Sequence, residues 1–223
     1  YSRIGAEDFI QRGSESWVPM VVLSAAAGAY SDTLSFSSST DIGLAAVGTF
    51  MQMGNEIVAV DAITLDETGL AGTLTVTRGC IDTIPAAHAS GTKCYFMGDA
   101  LGHDAREYAL GESADVKIIT RTSSAELDLS LAPTDTINVV ARQGKPYPPG
   151  AVFVADTSSG VWTPAFDNPV ITGDFSIQWA HRDRLSQQDQ IVGHWEPNVG
   201  PEAGTTYNLR FYNSSNTLLR NIT

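Results

Sequence analysis

Gly72-Thr-Leu-Thr-Val-Thr-Arg78 alternates without a break. Leu74 and Val76 fall on one side and the threonines on the other, the period-two pattern of a strand with one buried face. Upstream, Asn55-Glu-Ile-Val-Ala-Val-Asp61 reads as a second strand, separated from the first by a loop through Asp66-Glu-Thr-Gly69. Further out, Thr33-Leu-Ser-Phe-Ser37 alternates with Leu34 and Phe36 on one face, and Thr92-Lys-Cys-Tyr-Phe-Met97 follows after a loop. These segments make a small β-domain over 17–99, preceded by an incoming linker over 1–16. No window carries apolar residues at helical spacing over three turns without a Gly, a Pro or a β-branched run. The expected fold is therefore all-β, small β-domains in series, with helix below about a tenth of the chain.

Beyond residue 99 the strand signals continue. Asp115-Val-Lys-Ile-Ile-Thr-Arg121 and Thr136-Ile-Asn-Val-Val-Ala-Arg142 read as strands, with the shorter apolar stretch Leu127-Asp-Leu-Ser-Leu131 between them. They form a β segment over 100–144 that packs on or extends the first domain. Lys145-Pro-Tyr-Pro-Pro-Gly150 cannot join a central sheet, since each proline lacks an N–H and fixes φ, so 145–150 reads as a linker. Within 151–223, strands are expected at Ala151-Val-Phe-Val154, Asp174–Ala180, Thr206–Tyr212 and Thr217-Leu-Leu-Arg220. Alternation puts Phe175, Ile177 and Trp179 on one side of their strand and Tyr207, Leu209 and Phe211 inward on theirs, and the six are expected on one shared apolar face. A sandwich of these strands alone leaves an apolar face uncovered. With the opening Tyr1-Ser2-Arg3, which carries no initiator Met, this leads to the expectation that both ends are internal to a longer polypeptide.

The 223 residues carry 13 basic and 25 acidic side chains, a net charge of -12. Such a surface repels phosphates and disfavours nucleic acid as a partner. No apolar run approaches the roughly 18–20 residues a membrane-spanning helix needs. Charged residues are 17%, below the roughly 25% of an average domain, with Gly, Ser and Thr in their place. The two cysteines, Cys80 and Cys94, belong to no CxxC or Cys/His cluster and read as separate buried thiols. Strand geometry leaves a bridge between them open.

Two resemblances carry the functional expectation. From Gly150, the Pro148-Pro-Gly150 lead, Phe175-Ser-Ile-Gln-Trp179 and Tyr207-Asn-Leu-Arg-Phe-Tyr212 resemble the first half of a fibronectin type III domain. The likeness implies that Trp179 packs against the Tyr207 strand and that the last module is an incomplete sandwich. In the first domain, Gly54-Asn-Glu-Ile-Val-Ala-Val-Asp61, Gly72-Thr-Leu-Thr-Val-Thr-Arg-Gly79, then Thr83, Pro85, Ala87-His88 and Gly91 form one ordered pattern. With Asp115–Ser124, Leu129-Ser-Leu-Ala-Pro133, Arg142 and Pro146–Gly150, the succession resembles the C-terminal part of tail-tip proteins (hub, central-fibre or host-specificity type) of long-tailed bacteriophages and gene-transfer agents. The resemblance implies a virion structural segment of the tail tip or baseplate, assembled in the host cytoplasm. It implies other tail proteins as partners, a homotrimer around the tail axis, and a role in attachment to a host surface receptor. A carbohydrate- or receptor-binding module of a phage fibre or bacterial surface adhesin is the alternative.

Enzymatic chemistry finds little in the sequence, and the expectation is no enzyme, no cofactor and no metal. His88, His103, His181 and His194 form no HxH or HExxH spacing. His88 follows Pro85-Ala-Ala and is read as a structural residue that locks its loop over the sheet, with Arg78 and Gly79 before it. Cys80 lacks a separate base, and no GxSxG elbow occurs. Asp66-Glu67, Glu112/Asp115 and Glu126/Asp128 read as turn or strand-face acids. Asp183 and Asp189 are loop acids without a calcium-loop pattern. Trp162 and Trp195 lie outside the strict alternation, and either anchor a sugar or protein partner or cap the ends of the sandwich.

Overall fold

The computed structural model describes every residue except Glu15, Ser16, 99–103, Asn168, Val170, Thr172, Asp189, Ser214 and Thr223, together with the side chain of Gln143. The protein is all-β: fourteen strands and three short 3-10 turns, with no α-helix among the described residues. The chain divides into two compact units, one of 1–19 with 97–145, the other of 20–96 with 146–223.

The second unit is built around a closed six-stranded barrel. Its strands are β2 (Met20–Leu23), β3 (Thr33–Thr40), β4 (Phe50–Met53), β5 (Glu56–Leu65), β6 (Gly72–Thr77) and β7 (Lys93–Phe96). Their order around the barrel is β2-β3-β6-β5-β4-β7, every neighbouring pair antiparallel. Each strand sends two side chains two residues apart into the interior: Val21 and Leu23, Leu34 and Phe36, Met51 and Met53, Val58 and Val60, Leu74 and Val76, Cys94 and Phe96. All twelve are at most 2% exposed. Burying each of the larger ones contributes about 1.5–3 kcal/mol, which explains why so short a set of strands closes firmly. β4 had no counterpart among the strands read from the sequence.

The same unit continues with β10 (Gly150–Asp156), β11 (Trp162–Pro164) and β12 (Phe175–Ala180), β10 lying between the other two. The hairpin of β13 (Leu209–Tyr212) and β14 (Leu218–Ile222) follows. The rings of Phe175 and Phe211 meet edge to face at 5.6 Å, and those of Trp179 and Tyr207 lie 5.2 Å apart. Between β12 and β13 a long loop folds back on the barrel, where the His194 N–H donates to Arg78 O at 2.8 Å.

The first unit is a three-stranded sheet, β1 (Ser2–Ile4), β8 (Ser113–Val116) and β9 (Asp135–Asn138), in that order. The opening residues, read as a linker from the sequence, thus supply an edge strand. Arg3 and Asp115 stand opposite each other in register and pair at 3.1 Å, and Asp115 also accepts from Thr136. The two segments expected as long strands are shorter. β8 ends at Val116, opposite Asp135, the first residue of β9. Pro133 precedes that pair and has no N–H with which to extend the ladder. Leu127–Leu131 is a turn capped by the Asp128 carboxylate, which accepts from the N–H and hydroxyl of Ser130.

Candidate functional site

Strand parity decides where the motif residues point. Glu56 shares the inward phase of Val58 and Val60 on β5. Arg78, one residue beyond β6, shares that of Leu74 and Val76. Both charges therefore enter one end of the barrel, where Glu56 is 1% exposed and Arg78 is 3% exposed. Ions taken out of water at such a place survive only when each polar atom finds a partner.

Every donor of Arg78 is met. Nε and Nη2 donate to the two carboxylate oxygens of Glu56 at 2.7 and 2.8 Å, the fork-on-fork geometry that arginine favours. Nη1 donates to the carbonyls of Gly28 and Ser31, both at 2.7 Å, and Nη2 also to Ala86 O at 2.7 Å. The Glu56 carboxylate accepts in addition from Gly79 N at 3.0 Å and Ala86 N at 3.1 Å, and its Oε2 lies 2.9 Å from His88 Nε2. Burial alone would raise the Glu56 pKa; the hydrogen bonds from Arg78, His88 and Ala86 and the Arg78 charge outweigh it and hold the group below its ordinary value. His88 also pairs its backbone with Ala27 in both directions, so its loop is fastened by main chain and side chain together.

The rest of the motif closes round this cage. Thr83 Oγ1 donates to Cys80 O at 2.8 Å and accepts from Ile57 N at 3.1 Å, tying the loop after β6 to β5. Gly79 has φ +61, and a Cβ there would fall 2.5 Å from Pro85 Cδ and 2.9 Å from His194 Cβ. Only glycine fits both the backbone and the space. Gly54 likewise has φ +61, and a Cβ on it would touch the His88 ring at 3.5 Å.

The remaining candidates are spent on structure. Cys80 and Cys94 are free and buried, and burial pushes each thiol up to about 12. Asp66 caps its own turn through Thr68 and Ala71, and Glu112 binds Arg106 and Ala109 N. Asp183 caps Leu185 and Ser186. His181 Nδ1 lies 2.9 Å from the Tyr207 hydroxyl. Among the described residues no group of three or more His, Cys, Asp or Glu converges as a metal site would require. His103 and Asp189 lie outside the described residues. Trp162, on edge strand β11, is 42% exposed. Trp195 is half-buried: its ring stacks on Tyr30 at 4.9 Å and meets Phe153, Phe166 and His194 edge-on. Trp195 is thus committed to packing the loop against the barrel, and Trp162 alone of the two presents much of its ring to solvent.

Sequence reading singled out His88, Arg78 and Gly79 but assigned no role to Glu56, on which all three converge. The signal was present in the phase Glu56-Val58-Val60, which puts a carboxylate on the interior side. Comparison with protein-family models and with curated proteins finds no match for the chain.

Proposed function

We propose that this chain is a structural and interaction segment of a tail-tip protein from a long-tailed bacteriophage, serving tail assembly and host attachment rather than catalysis. The observation that carries the proposal is the convergence of the ordered motif on Glu56. Arg78, Gly79, Ala86 and His88 all bond to that one carboxylate, and Thr83 pins the same loop. A set of residues spent on one another inside a closed barrel specifies an architecture, not a reaction. Short β-modules that share loops and aromatic packing suit a stiff particle component. Immunogold labelling of tailed particles with antibody to this chain, together with mass spectrometry of purified virions, tests the assignment. Label at the tail tip is expected. Label on bacterial surfaces with none on particles counts against it.

Trp162 favours a second reading, a carbohydrate- or receptor-binding module, because a ring 42% exposed on an edge strand offers a stacking face. Saccharide binding lost on Trp162→Ala, in a protein absent from virions, would support that reading over the first.

A further inference from the structure

His194 stands where the loop after β12 meets the barrel. Its N–H is bonded to Arg78 O, and its Cβ lies over the bare face of Gly79. The ring stacks on Phe166, 5.3 Å between centroids and 19° between planes, and meets the edge of Trp195 at 4.7 Å. The residue is 3% exposed, and Nε2 is buried with no hydrogen-bond partner.

Behind the same loop sits Arg182, 5% exposed. Its guanidinium donates to the carbonyls of His181, Gly193, His194, Glu196 and Pro197 at 2.9–3.0 Å. Those bonds meet its Nη hydrogens with neutral dipoles, and the Glu196 carboxylate acts on its charge from the exposed side of the loop. The other charged or titratable groups near the ring are few. In the barrel Glu56 faces it, already shared by Arg78, His88 and two N–H groups. Asp167, one residue from Phe166, accepts from the Tyr30 hydroxyl at 2.9 Å. Glu196, on the exposed side of the same loop, binds Arg182 through its backbone carbonyl.

We infer that His194 is an acid-sensitive latch on the joint between the barrel and the sheet of β10–β12. The neutral ring closes the joint. A protonated ring is a second cation beside Arg182, in a dry aromatic niche that offers Nε2–H no acceptor, and it leaves. Gly193 and His194 then lift from Thr77–Gly79, and the Tyr30–Trp195 stack separates, while the barrel interior stays closed. Burial first, and Arg182 second, lower His194 to about 4 against a partial pull from Glu56, in keeping with a ring kept neutral by its surroundings. The latch does not rest on the proposed function.

The test uses the full chain. Histidine-ring NMR from pH 7 to 4 reads each imidazole, with His194 assigned by its contacts to Phe166 and Trp195. Amide hydrogen exchange reads the joint. Protection of the His194 amide is expected to fall at least about tenfold between pH 6 and 4, with the amides of Val58, Val60, Leu74 and Val76 still protected. His194→Phe keeps an aromatic ring but no proton site, and should abolish that loss; His194→Gln should do the same if the Phe variant folds poorly. A His194 ring that titrates at its ordinary value, or a pH-dependent opening unchanged in either variant, overturns the latch. Should neither variant fold, the wild-type ring titration alone decides it.

Discussion

Gly79 and His194 face each other across the joint, and the missing side chain of the first makes room for the Cβ of the second. Gly79→Ala therefore combines a left-handed backbone at φ +61 with a collision against both Pro85 and His194. The left-handed conformation costs about 1–2 kcal/mol for a residue with a Cβ, and overpacking adds about 1–3 kcal/mol. A loss of several kcal/mol is expected by urea denaturation, and a variant within about 0.5 kcal/mol of wild type would show that the loop yields freely.

Removing one member of the Glu56–Arg78 pair leaves the other buried and uncompensated. Glu56→Gln and Arg78→Met should each cost about 3–5 kcal/mol. Replacing both with Met removes the two ions together and should cost less than the sum of the single losses. A double-mutant cycle with no coupling would mean the ions do not depend on each other in the folded chain.

The pH dependence separates Glu56 from His194. Glu56 has a folded pKa below its model value of 4.5, so its stabilisation is present above that value and fades as pH falls through the folded pKa. His194 also has a lowered pKa, so the unfolded chain takes up that proton first, and stability falls from about pH 6.5 toward about 4. Thermal melts should therefore show two windows. Glu56→Gln is expected to flatten only the lower one, and flattening of the upper one instead would reverse the two assignments.

Both thiols should be silent in the folded protein. With Cys80 and Cys94 buried and raised to about 12, thiolate is scarce and the sulfurs are out of reach of a reagent. A colorimetric thiol reagent should read close to zero under native conditions and two thiols per chain after denaturation. Rapid native reaction of one cysteine would reveal an opening near it.

Strict alternation made much of the barrel legible. Leu34 with Phe36 and Leu74 with Val76 are period-two pairs flanked by Ser and Thr, and they are interior as that pattern demands. β4 escaped notice because Phe50-Met-Gln-Met53 spans only four residues and uses methionine, which marks neither helix nor strand. Closure was illegible for another reason: β2 pairs with β7 across more than seventy residues, and no local pattern encodes a partner so distant. The polar strand β1 carried no apolar phase at all; Arg3 and Asp115 hold it by charge and register. At the site, the ordered motif and the Pro85-Ala-Ala loop pointed to structural roles for Arg78 and His88. Glu56 needed the extra step of reading strand phase as a direction in space.

The pairing of β2 with β7 has a mechanical consequence. Met20 stands in register with Tyr95, so the chain enters and leaves the barrel at one place, on strands that are hydrogen-bonded neighbours. Tension between Pro19 and Met97 therefore meets the seam at its end and peels it bridge by bridge. It does not shear the whole ladder at once. Met20–Tyr95, Val21–Cys94 and Val22–Lys93 lie along that seam, which runs on through the bonds from Leu23 N to Thr92 O and from Gly91 N to Leu23 O. Under load this short zipper is the place where the barrel yields, and the cage at Glu56, fastened past the far end of the seam by the Ala27–His88 pairing, is spared until the seam has parted.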